Sequence, residues 1–158
     1  MRSDLRLSVA ARFDHRCGYC GVRDTDTGAA LTIDHFQPIS HGGSDELENL
    51  VYCCHACNEI KGSFWSSEPS VRRLLHPRRD DIPFHLHEKA DGTLSGLTAT
   101  GVFHLGRLRL NRAELVVYRQ RQRQAYVNED IRQQIATEIE RLQDEIDRLK
   151  ARLKQWVH

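Results

Sequence analysis

The sequence predicts an α+β domain stapled by a four-cysteine metal site and extended by a long C-terminal amphipathic helix. Three observations carry that prediction. Two CxxC pairs, Cys17-Cys20 and Cys54-Cys57, frame a segment dense in Gly, Asp, Asn and His; a short strand-like run, ALTIDHF, lies between them; and the stretch from Asp130 to Trp156 contains no Gly or Pro. At 158 residues the chain suffices for one domain with a true core, or a small domain with an appendage, but hardly for two independent domains.

Residues 3–14, SDLRLSVAARFD, place Leu5, Val9 and Phe13 at four-residue spacing behind Ser3, which predicts a short amphipathic helix with a serine cap. That helix delivers the chain to CGYCG. ALTIDHF reads as a strand, and PISHGGSDELENL as a long turn-rich loop. Asn58 opens the segment NEIKG, and a helix beginning there carries Asn58 in its first turn. Residues 67–113 read as a less regular extension, with HPRRDDIP as a loop and TGVFHLGRLRL as a strand or strand pair. From about Asn111 the pattern turns helical.

No apolar run approaches the roughly 18 residues needed to span a bilayer. The start MRSDLRLSVAARFDHRC lacks the apolar stretch and cleavage site of a signal peptide, so a cytoplasmic protein is expected. Thiols there stay reduced, and clustered cysteines are more often metal ligands or catalytic groups than disulfides. The formal net charge is only +1, so any nucleic-acid partner has to be argued from local patches.

Two CxxC loops each turn both sulfurs toward one point, and together they can place four thiolates around Zn2+. Cys17, Cys20, Cys54 and Cys57 therefore predict a structural zinc. A redox protein needs only one CxxC, and the second pair would then be unexplained. Cys53 is left as a small buried residue, and His55, between the ligands of the second pair, as a surface or outer-sphere residue. A closed four-thiolate site does no chemistry.

Between and beside the knuckles lie Asp34-His35, Asn49 and Asn58. A neutral imidazole can take a proton from water, while an Asp carboxylate and an Asn carbonyl are hard oxygen ligands suited to Mg2+ or Mn2+. Successive strand residues face opposite ways, so Asp34 and His35 belong at the strand end, near Pro38. Singly, each has a plainer reading as a cap or turn residue. Their order and framing raise the functional one.

As an ordered set, CxxC, then DHFQPISHGGSDELENL, then CxxCNEIKG resembles the HNH endonuclease family in its zinc-knuckled form, over about residues 12–64. HPRRDD and GLTATGVFHLGRLRLNR are similar to the extension that follows the motif in small bacterial members, which carries the resemblance to Arg119. The resemblance implies a ββα-metal core that hydrolyses phosphodiester bonds of DNA, or RNA, and leaves 5′-phosphate and 3′-hydroxyl ends. It assigns His35 as the general base, Asn49 as the residue that steadies the loop and orients that histidine, and Asp34 with Asn58 as ligands of the catalytic ion. Asn58 stands where the second name-giving histidine usually stands, a variant similar to that of CRISPR effectors. An amide oxygen suits Mg2+ or Mn2+ better than Zn2+ or Ni2+. Lys61 offers a cation for a phosphate, against the commoner reading of a solvated lysine.

Phosphate contact needs local positive charge. Arg72, Arg73, Arg78 and Arg79 form one cluster, and Arg107, Arg109, Arg112, Arg119, Arg121 and Arg123 a second, with Glu114 the one acid within residues 101–127. Lys61, Arg107, Arg109, Arg119 and Arg123 are the expected nucleic-acid contacts. Farther on, Ile139, Ile146 and Leu153 occupy a positions and Leu142, Leu149 and Trp156 d positions of a heptad seam that predicts a homodimer or a helical partner through residues 131–156. The competing reading packs this stripe on the chain's own domain. The expected division is a nuclease domain with extension over 1–113 and a helical arm over 114–158. A non-enzymatic zinc-ribbon module is the alternative, and it has no use for Asp34, His35 and Asn58 together.

Overall fold

The computed structural model describes residues 3–66 and 72–156, with side chains for 4–66 and 72–154. The side chains of Ser3, read as a cap, and of Trp156, read as a d position, lie outside the described residues. The chain forms two compact units, Met1–Tyr118 and Arg119–His158.

In the first unit, α1 (Ser3–Arg12) forms as its four-residue spacing predicts and places Val9 in the core, with Phe13 just beyond its end. The chain then turns through the first knuckle and a short helix, α2 (Asp24–Thr27). β1 (Thr32–His35) and β2 (Leu50–Cys53) pair antiparallel in the register Thr32 with Cys53 through His35 with Leu50. All four residues of β2 are buried, which is why LVYC reads as a continuous apolar run rather than an alternating one. α3 (His55–Lys61) follows directly and packs on β1, completing a ββα unit.

α3 starts at His55, three residues before the expected start at Asn58, because Cys54 serves as its N-cap, its sulfur accepting from the Cys57 N–H at 3.4 Å. Asn58 is thus the fourth helical residue. The extension holds α4 (Ile82–His85), then a hairpin of β3 (Leu86–Glu88) and β4 (Leu94–Gly96) that lies before the segment read as strand. TGVFHLGRLRL itself is helical: α5 spans Ala99–Arg107. The Thr98 hydroxyl caps it by accepting from the Gly101 N–H at 3.0 Å, and Gly101, His104 and Leu108 bury one face at helical spacing. Its two glycines and β-branched residues mimic a strand locally, and packing overrides them. Gly101 is required there, since a Cβ would lie 2.1 Å from the His85 carbonyl oxygen.

α6 (Ala113–Trp156) is a 44-residue helix that begins in the first unit, where Leu115 joins the core. The second unit is the rest of that helix. Its described side chains from Arg123 to Lys154 are all exposed, the seam residues Ile139, Leu142, Ile146, Leu149 and Leu153 included. No described helix is long and apolar enough to cross a membrane.

Candidate functional site

The first knuckle is set by backbone bonds. Cys17 N–H donates to the Val22 carbonyl and Gly21 N–H to the Cys17 carbonyl, each at 2.8 Å, and Gly18 N–H ties the loop to the Tyr52 carbonyl of β2 at 2.8 Å. Gly18 cannot carry a side chain, because a Cβ would lie 2.7 Å from the Phe13 ring and 2.9 Å from Val51. The second knuckle is the end of β2 and the first turn of α3. The two loops bring the sulfurs of Cys17, Cys20, Cys54 and Cys57 within 4.8 Å of one another, with Cys20 and Cys54 at 3.8 Å. Sulfurs about 2.3 Å from a tetrahedral ion stand about 3.8 Å apart, so the set can hold one metal ion.

All five cysteines are free thiols, and Cys53 is fully buried next to the cluster, as expected, with burial pushing its pKa up. Hydrogen bonds from the other three cysteines pull the Cys54 thiol well below its usual range. Burial works against the charge of Arg112, but its guanidinium donates to the Cys57 sulfur at 3.5 Å and the sulfurs hold its pKa up. Arg112 is therefore a cation facing the cluster rather than the phosphate contact its neighbourhood suggests.

His35 is the last residue of β1, and the loop behind it is held by Asn49. The Asn49 Oδ1 accepts from Gln37 N–H at 2.8 Å, and its Nδ2 donates to the carbonyls of Gln37 at 3.0 Å and Ser44 at 2.8 Å. These bonds cinch residues 37–44 into a closed turn. Gly43 lies so close under it that a Cβ would sit 1.8 Å from the Gln37 carbonyl oxygen. The loop then presents Asp45, whose Oδ1 accepts from His35 Nε2–H at 2.7 Å. Asn49 thus steadies the loop, while the group in contact with the imidazole is Asp45, which sequence reasoning missed. With Nε2 donating to a carboxylate, the lone pair of the neutral ring lies on Nδ1.

Asp34 points to the other face of β1 and is buried at 8% exposure. Tyr19 OH donates to its Oδ2 at 2.6 Å, and Lys61 Nζ reaches Oδ1 at 3.0 Å and Oδ2 at 2.9 Å. The same ammonium donates to the His35 carbonyl at 2.8 Å. Burial pushes the Asp34 carboxyl up, and Lys61 and Tyr19 pull it back without cancelling the shift. Tyr19 is pushed well up by burial and by the charge of Asp34. Lys61, read as a solvated or phosphate-binding residue, has no exposed surface at all, since the partner that satisfies it lies 27 residues away in sequence. Asn58, three residues before Lys61, shares its face of α3 and is half-buried. His55 is exposed.

Arg107, expected at nucleic acid, instead caps α3: its guanidinium donates to the carbonyls of Ile60 and of Lys61, the latter at 2.8 Å, and lies 5.0 Å over the Phe64 ring. Arg109, Arg121 and Arg123 are exposed, and Arg119 is buried. In the other cluster, Arg73 forms a paired contact with Asp80 at 2.7 and 2.8 Å, and Arg78 and Arg79 lie over Phe13 and Phe36.

The HNH endonuclease family model matches residues 17–64. The chain is 34% identical over 76 residues to a CRISPR-associated endonuclease Cas9 of Corynebacterium diphtheriae, an alignment covering 44% of this chain and 7% of that protein. It is 29% identical over 58 residues to YoqL of Bacillus subtilis, a protein named for an SPbeta prophage-derived HNH endonuclease, covering 33% of this chain and 25% of that protein. The chain thus spans a quarter or less of the length of these relatives. No solved structure matches it.

Proposed function

Residues 17–64 are an HNH endonuclease domain, and from that premise we propose that this chain is a cytoplasmic, metal-dependent endonuclease that hydrolyses DNA phosphodiester bonds. The observation that carries the reading is the His35–Asp45 contact at the end of β1, on a loop closed by Asn49.

His35 accepts the proton of the attacking water on Nδ1, while Asp45 on Nε2 fixes the ring and balances the imidazolium that forms. Asn49 acts through the loop, keeping Asp45 within reach of the ring. Asp34 and Asn58 offer a carboxylate and an amide oxygen on facing elements, a hard-donor set that fits Mg2+ or Mn2+. When bound, such an ion stabilises the charge on the pentacovalent phosphorus and on the leaving 3′-oxygen. The four cysteines hold Zn2+, whose preference for thiolates matches them, and keep the two knuckles together without taking part in the reaction. Among the arginines, exposed Arg109, Arg121 and Arg123 are the ones that contact the nucleic-acid backbone; this extends the relatives' endonuclease names to the present chain.

A second copy of the chain pairs through the exposed seam of α6. β-branched residues at two of its a positions with Leu at d favour two strands, and Glu145 at g can meet Lys150 at e of the other helix. The nuclease reading is tested by plasmid nicking with Mg2+, Mn2+ or EDTA. Wild type should nick only with added ion, and His35→Ala should lose nicking while keeping its zinc; a His35→Ala protein as fast as wild type would end this reading.

A further inference from the structure

Lys61 is the one buried lysine among the four in the sequence; Lys89, Lys150 and Lys154 are exposed. Its ammonium donates to Asp34 Oδ1 and to the His35 carbonyl and lies 2.9 Å from Asp34 Oδ2, so all of its near partners are acceptors. Seen from Asp34, a carboxylate has about four lone-pair sites. Tyr19 takes one on Oδ2 and Lys61 one on Oδ1, and the ammonium also stands 2.9 Å from Oδ2, so it lies against both oxygens of the carboxylate.

A divalent ion on that carboxylate would sit about 2.1 Å from an oxygen and demand near-octahedral geometry. It would face the ammonium where Lys61 is fully and Asp34 largely buried, so that like charges repel with little screening. Lys61 and the ion therefore compete for the same anion. We propose that Lys61 is a resident counter-ion of Asp34, and that loading the catalytic ion requires its ammonium to leave, an exchange that rests on the assignment of Asp34 as a ligand.

Three features give the exchange a route. Lys61 is the last residue of α3, so its release disturbs the end of the helix rather than its middle. The next residue, Gly62, has φ 54°, a conformation that frees the chain from the helix there. The bond to the His35 carbonyl links the same ammonium to the residue that carries the general base. Once displaced, the ammonium is free of Asp34 and can serve a phosphate. The ion would thus uncover the cation that the sequence position of Lys61 suggested for phosphate.

Because only molecules whose ammonium has left can take the ion, the apparent affinity is lowered by that fraction. Mn2+ binding to the full-length, zinc-loaded protein, followed by electron paramagnetic resonance without DNA, reads it directly. Lys61→Met should bind Mn2+ roughly tenfold or more tightly than wild type, and Asp34→Asn should remove the gain. In wild type, Lys61 should resist acylation without Mn2+ and become modified with it, read by peptide mass spectrometry against Lys89 as an exposed control. The wild-type readout stands even where Lys61→Met fails to fold. Equal or weaker Mn2+ binding by a folded Lys61→Met, Mn2+ binding with Lys61 still protected, or no Mn2+ binding by either protein overturns the exchange. Nicking by wild type in those cases leaves the nuclease reading standing; exchange without nicking ends that reading and leaves the exchange.

Discussion

His35 and Asp45 meet at 2.7 Å although they stand ten positions apart in sequence, and the contact joins a half-buried imidazole to a carboxylate that is 80% exposed. The pair predicts a graded response. Asp45→Asn keeps an acceptor for Nε2–H but loses the charge that balances the imidazolium, and should slow single-turnover nicking by about tenfold. Asp45→Ala, which also frees the ring, should be slower still. Equal rates for all three proteins would show that the contact does not set the base.

Asn49 makes its three bonds to the loop backbone with both donor and acceptor atoms, so the direction of each substitution can be read from its chemistry. Asn49→Ala leaves loop carbonyls unpaired in a partly exposed site and should cost about 1–2 kcal/mol by urea denaturation. Asn49→Asp sets a carboxylate oxygen against the carbonyls of Gln37 and Ser44 and should cost more. Both should retain zinc and lose nicking, since Asp45 is carried on the loop they loosen.

The cysteine cluster predicts one zinc per chain, released on mild thiol oxidation and quantified with a chromogenic chelator. Because the ion closes loops 34 residues apart, its binding free energy is folding free energy, on the order of 10 kcal/mol in small zinc domains. Cys57→Ser should therefore lose the cooperative thermal transition of the first unit. Cys53→Ser, outside the cluster, should keep both zinc and transition, at a lower melting temperature for its buried hydroxyl.

What could be read from the sequence is what is written locally. Two CxxC pairs need only their own spacing to converge, and the long helix α6 only a stretch without Gly or Pro, so both are legible. Burial of Lys61 is not, because it depends on a partner 27 residues away and on a tyrosine inside the first knuckle. Asp45 carries no signal in a loop already rich in polar turn residues. α5 misleads because Gly101 is there to let the helix pass the His85 carbonyl, a tertiary demand that looks like a helix-breaking glycine in one dimension.

His104 predicts an acid-sensitive core. Its Nδ1 accepts from Leu75 N–H at 3.0 Å, and burial, with the nearby His85 and Arg73, lowers its pKa to about 4 from an ordinary 6.5 despite the carboxylate of Asp80. The folded state thus holds the ring neutral where the unfolded chain takes a proton. Stability is full above pH 6.5 and is lost as pH falls toward 4, by on the order of 3 kcal/mol for this group. Urea denaturation at pH 7, 5.5 and 4.5 should show that slope, and His104→Asn should reduce it, with His76, which burial also lowers to about 4, supplying a further part. An unchanged slope in the variant would assign the acid sensitivity to other groups.

The exposed seam of α6 makes the last prediction. Ile139, Leu142, Ile146, Leu149 and Leu153 are 44–65% exposed along one side of the helix, and isolated helices gain little from intrinsic propensity alone. Ion pairs within the helix, Arg141 with Glu138 and Glu145 and Lys150 with Asp147, lie on its surface, where solvent screens them, and contribute little. In the proposed dimer a second copy with the same heptad rhythm covers the stripe. Light scattering of the full chain should give a dimer whose mass falls on dilution. Leu142→Asp with Leu149→Asp places charges at two successive d positions and should yield a monomer with lower helix content but intact zinc, as should removal of residues 128–158. A wild-type monomer, or variants that keep the dimer, would move the partner of this stripe elsewhere.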